Sequence, residues 1–156
     1  MKVAIVYTSI TGNTEEAAEI INKNMKNYTG NCYLYKVEHF PFSDLESFDV
    51  ILIGTYTWGN GDIPIEMVRL YRAFETSTTK EIVTGVFGTG DQCYPYFCGA
   101  VDEFRDMLYV HSNLAATLKI ELLPQLLDES RMKRFIKVVF ERVQNKNNDL
   151  VVPFRV

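Results

Sequence analysis

The chain has 156 residues, a length typical of a single domain, and 47% of them are hydrophobic, which excludes disorder and collagen-like repetition. A net charge of −4 disfavours polyanions, so we expect no nucleic acid partner and instead basic protein partners. No apolar run reaches the roughly 18 residues of a membrane span, and the apolar stretch at residues 3–7 is too short for a signal peptide. Three cysteines without a CxxC pair favour a reduced, cytoplasmic protein that has neither a disulfide framework nor a zinc cluster.

Strands and helices alternate along the chain. Apolar runs predict buried strands at residues 3–7, 50–54, 82–87 and 115–123, and the alternating pattern at 33–37 predicts an edge strand. The first helix has acidic residues in its first turn, Asp62 or Pro64 opens the second, the third begins near Gly99, and Asp128 caps the last. Inward-facing helix positions are predicted at Ala17, Ala18, Ile21, Met25, Val68, Tyr71, Phe74, Val101, Phe104, Leu108, Met132, Phe135, Ile136, Val139 and Val143.

This alternation predicts an α/β fold: a doubly wound five-stranded parallel sheet in the order 2-1-3-4-5, with helices on both faces. Residues 145–149 are polar and expected to be loose, and residues 150–156 show no pattern that predicts an element. Ligands of such sheets bind beyond the carboxyl ends of the strands, at the switch point between strands 1 and 3. Three loops leave the sheet around this point.

The first loop, residues 8–14, reads T-S-I-T-G-N-T and leads into a helix. Its hydroxyls and the free N–H groups of the helix N-terminus suit an anion, although an ordinary helix cap explains the same residues equally well. It has no Lys or Arg and lacks the P-loop pattern, which favours one terminal phosphate over a nucleotide triphosphate with magnesium.

The second loop, residues 54–62, and the third loop, residues 87–99, each carry an aromatic residue that could stack on a flat ligand. Trp58 is the only tryptophan, and by itself it favours a core position over a stacking platform. Tyr94 follows the adjacent strand, so the two rings are placed to enclose a planar group between neighbouring loops. Gly59, Asn60 and Gly61 tolerate positive φ and allow the second loop more than one backbone arrangement.

At these residues the sequence resembles the flavodoxins. T-S-I-T-G-N-T is similar to the family's phosphate loop, G-T-Y-T-W-G-N-G-D to its first flavin loop, and F-G-T-G-D-Q-C-Y-P-Y-F-C-G-A-V-D to its second. The resemblance implies non-covalently bound FMN and one-electron transfer without turnover of a substrate, in one FMN-binding domain over residues 1–149 with residues 150–156 as its tail. The uninterrupted fifth strand resembles the short-chain members.

The resemblance also implies roles for individual residues. The residues that would bind the phosphate are Ser9, Thr11, Gly12, Asn13 and Thr14. Trp58 and Tyr94 would cover the two faces of the flavin ring. The remaining cofactor-binding candidates are Ile10, Tyr56, Thr57, Gly59, Asn60, Thr89, Gly90, Asp91 and Cys98. Of these, residues 89–91 and Cys98 present backbone groups to the pyrimidine edge, and the Gly59 carbonyl turns towards flavin N5 on reduction. Two departures concern the phosphate: Ile10 replaces a polar or small residue, and Tyr56 replaces a serine.

Partners and rivals follow from the same pattern. The resemblance implies a monomer that exchanges electrons with a NAD(P)H-dependent flavodoxin/ferredoxin reductase and with acceptor redox enzymes. An acidic rim is either the surface that docks these partners or an ordinary solvated surface. The residues of this rim are Asp62, Glu66, Asp91, Asp102 and Glu103. The alternative is a flavodoxin-like activator of a single client such as a ribonucleotide reductase. A phospho-receiver needs acidic residues after strand 1, and this sequence has none there. A quinone reductase needs one open face of the flavin ring, whereas the resemblance implies that both faces are covered.

Other residues have plainer interpretations. His39 and His111 stand apart from each other and from the cysteines, so we expect no metal site. We expect Cys93 and Cys98 to be small buried residues rather than redox thiols.

Overall fold

The computed structural model describes residues 1–146 and the backbone of Phe154 and Arg155. Its strands are β1 (Val3–Tyr7), β2 (Cys32–Lys36), β3 (Val50–Tyr56), β4 (Val83–Gly90), β5 (Asn113–Glu121) and β6 (Phe154–Arg155). Its α-helices are α1 (Asn13–Met25), α2 (Val68–Thr76), α3 (Gly99–His111) and α4 (Leu126–Asn145). Short 3₁₀ turns occupy Val37–His39, Phe42–Ser47 and Ile65–Met67.

All neighbouring strands pair in parallel, in the order β2-β1-β3-β4-β5-β6. The predicted order 2-1-3-4-5 is therefore confirmed, with β2 at one edge as expected. The short β6 extends the sheet beyond β5, where Phe154 lies opposite Ala116 and Arg155 opposite Thr117.

The alternation of side chains along each strand divides the core into two layers. Val3, Ile5 and Tyr7 face the layer formed with α1 and α4, whereas Ala4 and Val6 face the layer formed with α2 and α3. Because both faces of the central strands are covered, these strands are continuously apolar, as the sequence indicates. Among residues 1–146, no helix combines the length and the apolar character that crossing a membrane requires.

Helix core positions largely match the prediction. The four predicted positions of α1 are fully buried, as are Phe74 of α2 and Phe104 and Leu108 of α3. Val68, Tyr71 and Val143 are only partly covered.

Several boundaries differ from those predicted. β5 begins and ends two residues earlier than expected, and a 3₁₀ turn precedes α2 after Pro64. Asp128 is not the N-cap of α4: Gln125 is, and the Asp128 carboxylate accepts the Gln125 N–H at 3.0 Å in a reciprocal capping arrangement. Asn145 still belongs to α4 rather than to a loose segment, while residues 147–149 and most of 150–156 lie outside the described residues.

The register of the central strands brings their carboxyl ends together. Tyr7 of β1 lies opposite Gly54 of β3, and Tyr56 of β3 lies opposite Thr89 of β4. The first, second and third loops therefore leave the sheet side by side.

Candidate functional site

A cavity of about 460 Å³ opens where the three loops leave the sheet. This volume lies in the range of small-molecule and cofactor sites. The lining comes from all three loops and from the residue after β5: Ser9, Ile10, Thr11, Asn13, Thr14, Tyr56, Thr57, Trp58, Gly59, Thr89, Gly90, Asp91, Tyr94, Tyr96, Cys98 and Leu122.

The first loop presents unpaired backbone donors at the start of α1. Gly12 adopts φ +93° at the N-cap, and its N–H donates to Ser9 Oγ at 3.1 Å. The first bond of the helix runs from the Glu16 N–H to the Gly12 carbonyl at 2.9 Å. Within residues 1–146, no acceptor pairs with the N–H groups of the three residues between them, 13–15. Because these donors and the positive end of the helix dipole point the same way, the loop suits an anionic group.

Among the residues that the structure describes, no Lys or Arg lines the cavity. Glu15 accepts a hydrogen bond from Tyr7 Oη at 2.6 Å and pairs with Lys36 at 3.3 Å. The Tyr7 hydrogen bond, followed by Lys36, lowers the pKa of Glu15, so the group is a carboxylate at neutral pH. Burial, and then this same hydrogen bond, raises the pKa of Tyr7, which stays protonated as the donor.

The second loop folds back on itself and leaves its tryptophan outside the core. Trp58 and Asp62 exchange two backbone hydrogen bonds, of 2.9 and 2.8 Å, with Gly59 at φ +50° and Gly61 at φ +101° between them. Trp58 is 60% exposed, which rejects the core position that the sequence left open. Its ring is available to stack on a planar group.

The hydroxyl of Tyr56 contacts Glu66. Its Oη donates to the Glu66 carboxylate, 3.3 Å from each oxygen. Burial and the neighbouring Glu66 charge raise the pKa of Tyr56, so the hydroxyl keeps its proton. Tyr56 still lines the cavity, but its hydroxyl is engaged with Glu66.

The third loop places the second aromatic residue at the mouth of the cavity. The Asp91 side chain accepts the Cys93 N–H at 2.8 Å and its carbonyl accepts the Tyr94 N–H at 3.1 Å, which turns the chain tightly. Tyr94 is 67% exposed. Two largely exposed rings on adjacent loops thus border one cavity.

Side-chain and backbone contacts tie the loops to one another. Thr14 of α1 and Thr89 of β4 are joined by a hydroxyl–hydroxyl hydrogen bond of 2.7 Å. Thr57 Oγ1 accepts the Ala100 N–H of α3 at 3.2 Å. A Cβ on Gly99 would stand 2.7 Å from the Cα of Gly61, so this close approach of two backbones requires glycine.

The structure brings most of the predicted site residues together. Fourteen of the sixteen predicted cofactor-binding residues line the cavity, while Gly12 and Asn60 do not. Gly12 shapes the first loop through its positive φ, and Asn60 is an exposed residue of the Trp58–Asp62 turn. Tyr96 and Leu122 also line the cavity but were not predicted. The aromatic run Y-P-Y-F was a signal for Tyr96, whereas nothing in the sequence pointed to Leu122.

The cysteines and the acidic residues differ in part from expectation. Cys98 is buried at φ +51°, and burial raises the pKa of its thiol to about 12, which makes it unreactive. Cys93 is exposed rather than buried, so the expectation was wrong for this residue. Asp102 is paired with Arg105 at 2.7 Å and with Lys119 at 2.6 Å, which reduces its contribution to an acidic rim.

The donor set fits FMN on two counts. Unpaired helix N–H groups and hydroxyls suit a phosphate, and the exposed rings of Trp58 and Tyr94 suit a planar isoalloxazine. Both features line a single cavity, as one ligand carrying both groups requires.

Comparisons with known proteins agree with this geometry. A family model described as Flavodoxin matches residues 5–133. The chain is 39% identical over 126 residues to "Probable flavodoxin 1" of Bacillus subtilis, which covers 80% of each chain. The crystal structure of oxidised Flavodoxin 2 from Bacillus cereus is similar with a TM-score of 0.84 and 32% identity, over 91% of this chain and 99% of that one. A short-chain flavodoxin associated with a bacterial microcompartment has a TM-score of 0.86 and 27% identity, over 92% and 99% of the two chains.

Proposed function

The chain belongs to the flavodoxin family, an FMN-binding electron-transfer family, and we propose that it is a low-potential one-electron carrier. In this role it takes electrons from a NAD(P)H-dependent flavodoxin/ferredoxin reductase and delivers them to acceptor redox enzymes in the cytoplasm. Bound FMN supplies the one-electron chemistry, and the chain's own residues bind the cofactor and set its surroundings. The observation that carries the proposal is the single cavity that joins unpaired helix donors to two exposed aromatic rings.

The phosphate is held by neutral donors. The candidates are the hydroxyls of Ser9, Thr11 and Thr14, the Asn13 side chain and the N–H groups of residues 13–15. Gly12 contributes by its φ of +93°, which turns the loop into the helix, and not by lining the cavity. Specificity for the phosphorylated flavin follows, because a helix N-terminus left without an anion keeps its donors unpaired.

The flavin ring is covered on two sides and ordered at one edge. Trp58 and Tyr94 cover its two faces, while backbone groups of residues 89–91 and of Cys98 contact its pyrimidine edge. A ring covered on both faces has little room for a second substrate, which favours a carrier over a flavin-dependent reductase. Electrons then leave through the exposed rim of the cavity, where a protein partner docks.

We further propose that the acidic rim serves docking of a monomer to basic redox partners. Asp62 and Glu103 are exposed, and the chain carries a net charge of −4. Charge of this kind increases the rate of encounter more than the affinity. Because Asp102 is paired with two cations, we assign docking to the other acidic residues.

Reconstitution with FMN tests the function. The cofactor-free chain is expected to bind FMN tightly and riboflavin much more weakly, and its bound FMN is expected to be reduced in two separate one-electron steps. The reduction potential of the second step should lie well below that of free FMN, because acidic neighbours and the electron-rich face of Tyr94 disfavour further negative charge on the flavin. Equal affinity for both flavins, or a single two-electron step, would contradict the proposal.

A matched pair of variants separates the cavity from general surface effects. Tyr94→Ala exposes the flavin ring to water. It is expected to weaken FMN binding and to raise the reduction potential of the second one-electron step. Tyr109→Ala removes a ring that is equally exposed, at 66%, but does not line the cavity. It is expected to leave both quantities unchanged.

A further inference from the structure

The buried hydroxyl pair of Thr14 and Thr89 lies between the first and the third loop. The two Oγ1 atoms are 2.7 Å apart, and the residues are only 1% and 5% exposed. Thr14 is the second residue of α1, Thr89 is the last residue but one of β4, and both line the cavity. The inference below rests on the proposed function, in which the phosphate lies at this end of α1.

Counting protons gives this pair a direction. Each hydroxyl has one proton to donate, and either atom can be the donor in their mutual bond. If Thr14 donates to Thr89, no proton of Thr14 remains for the cofactor. If Thr89 donates to Thr14, the Thr14 proton is free for an anionic oxygen, which can only accept.

We propose that Thr89 is a positioning residue for the cofactor phosphate: its hydroxyl donates to Thr14 Oγ1 and thereby directs the Thr14 proton towards the phosphate. Both hydroxyls are buried, so water does not compete for either of them. In a chain of hydrogen bonds, a hydroxyl that accepts one bond becomes a stronger donor in the next. The side chain of Thr89 thus acts on the phosphate end of the cofactor, while its backbone lies at the edge assigned to the pyrimidine.

The test compares FMN with riboflavin, which lacks the phosphate. Thr89→Val keeps the shape of the side chain and removes its hydroxyl. It is expected to weaken FMN binding by about 3- to 10-fold, the effect of one hydrogen bond, and to leave riboflavin binding unchanged. Thr89→Ser restores the hydroxyl and should restore the preference for FMN.

Thr84→Val is a matched control in the same strand. Thr84 makes a buried hydroxyl–hydroxyl bond of 2.7 Å with Ser112, five residues before Thr89 and so roughly 16 Å from it along the strand. Both valine variants lose one buried bond and are expected to lose similar stability in urea denaturation. Only Thr89→Val should change the ratio of FMN to riboflavin affinity.

Two results would overturn the assignment of Thr89. Equal weakening of both flavins in Thr89→Val would show a structural effect on the cavity, and unchanged affinity for both flavins would show that the hydroxyl does not act on the phosphate. A parent chain without a preference for FMN over riboflavin would instead refute the phosphate site, and with it the proposed function, before any variant is compared.

Discussion

Thr57 connects the second loop to α3, and its replacement by valine tests how far this contact supports the site. Its Oγ1 accepts the N–H of Ala100, a fully buried residue, at 3.2 Å. The N-cap residue Cys98 provides no side-chain hydrogen bond. Thr57, which belongs to another loop, therefore accepts an N–H of the first helical turn, as an N-cap side chain normally does. Thr57→Val keeps the shape and leaves a buried donor without an acceptor.

A buried donor without an acceptor costs about 1–3 kcal/mol. With a slope of about 1–3 kcal/mol per molar urea for a domain of this size, the midpoint of urea denaturation is expected to fall by about 1 M. FMN affinity should fall as well, because Thr57 directly precedes Trp58. Thr57→Ser keeps the acceptor and is expected to keep most of the stability.

Thr76→Val is the matched control. The Thr76 hydroxyl donates to the Arg72 carbonyl at 2.9 Å in an exposed position, where water replaces the lost bond. Its midpoint should therefore stay close to that of the parent. If Thr57→Val unfolds at the same urea concentration as Thr76→Val, or if Thr57→Ser is as damaging as Thr57→Val, the assignment of Thr57 as a cap for α3 is refuted.

Three further predictions concern the other loop contacts. Tyr7→Phe removes the hydrogen bond that most lowers the pKa of Glu15. The stability that comes from a lowered carboxyl pKa is present above the ordinary pKa of the group and is lost as the pH falls. In urea denaturation, the free energy of unfolding of the variant should therefore fall by about 1 kcal/mol at neutral pH and by less at pH 3. Gly59→Ala places a Cβ at φ +50° and should hinder the turn of the carbonyl towards flavin N5, lowering the first reduction potential of bound FMN by on the order of 20–65 mV in a redox titration. Gly99→Ala forces a Cβ to within 2.7 Å of the Gly61 backbone, and it should separate the second loop from α3 and weaken FMN binding in calorimetry.

Each of these predictions has a control or a contradicting result. A pH-independent loss in Tyr7→Phe would mean that the carboxylate of Glu15 is not what the hydroxyl stabilises. An unchanged first potential together with weaker binding in Gly59→Ala would mean that the strain falls equally on both redox states. Gly30→Ala, whose Cβ meets nothing within 4 Å, controls for the glycine replacement at Gly99.

The sheet was predictable because its strands are buried on both faces. A run such as residues 3–7 leaves little choice of structure, and helical spacing of apolar residues identified all four α-helices within residues 1–146. Strand ends were harder to predict, since pairing and not apolarity decides them. β4 continues to Gly90 because Thr89 lies opposite Tyr56 and Gly90 opposite Glu121.

Elements that depend on distant partners carried no local signal. β6 is two residues long and exists through its pairing with β5. Leu122 reaches the cavity because its φ of +53° turns the chain, while its N–H donates to the Gly90 carbonyl at 2.8 Å. The bond between Thr14 and Thr89 joins residues 75 positions apart. Composition and spacing identify such residues as candidates, but only the fold shows which of them meet.

The two ends of the cavity answer different requirements of an electron carrier. At the α1 end, neutral donors and buried hydroxyls can hold a phosphate without a cation. Among the described residues, no basic side chain of the site therefore weakens the attraction of an acidic surface for a basic partner. At the other end, Trp58 and Tyr94 stay more than half exposed, which keeps a ring placed between them close to the surface. Thr89 links the end of β4, from which the Tyr94 loop leaves, to α1, and Thr57 links the Trp58 loop to α3. Cofactor binding and exposure to partners are thus assigned to separate residues, and the bond between Thr14 and Thr89 connects the two ends.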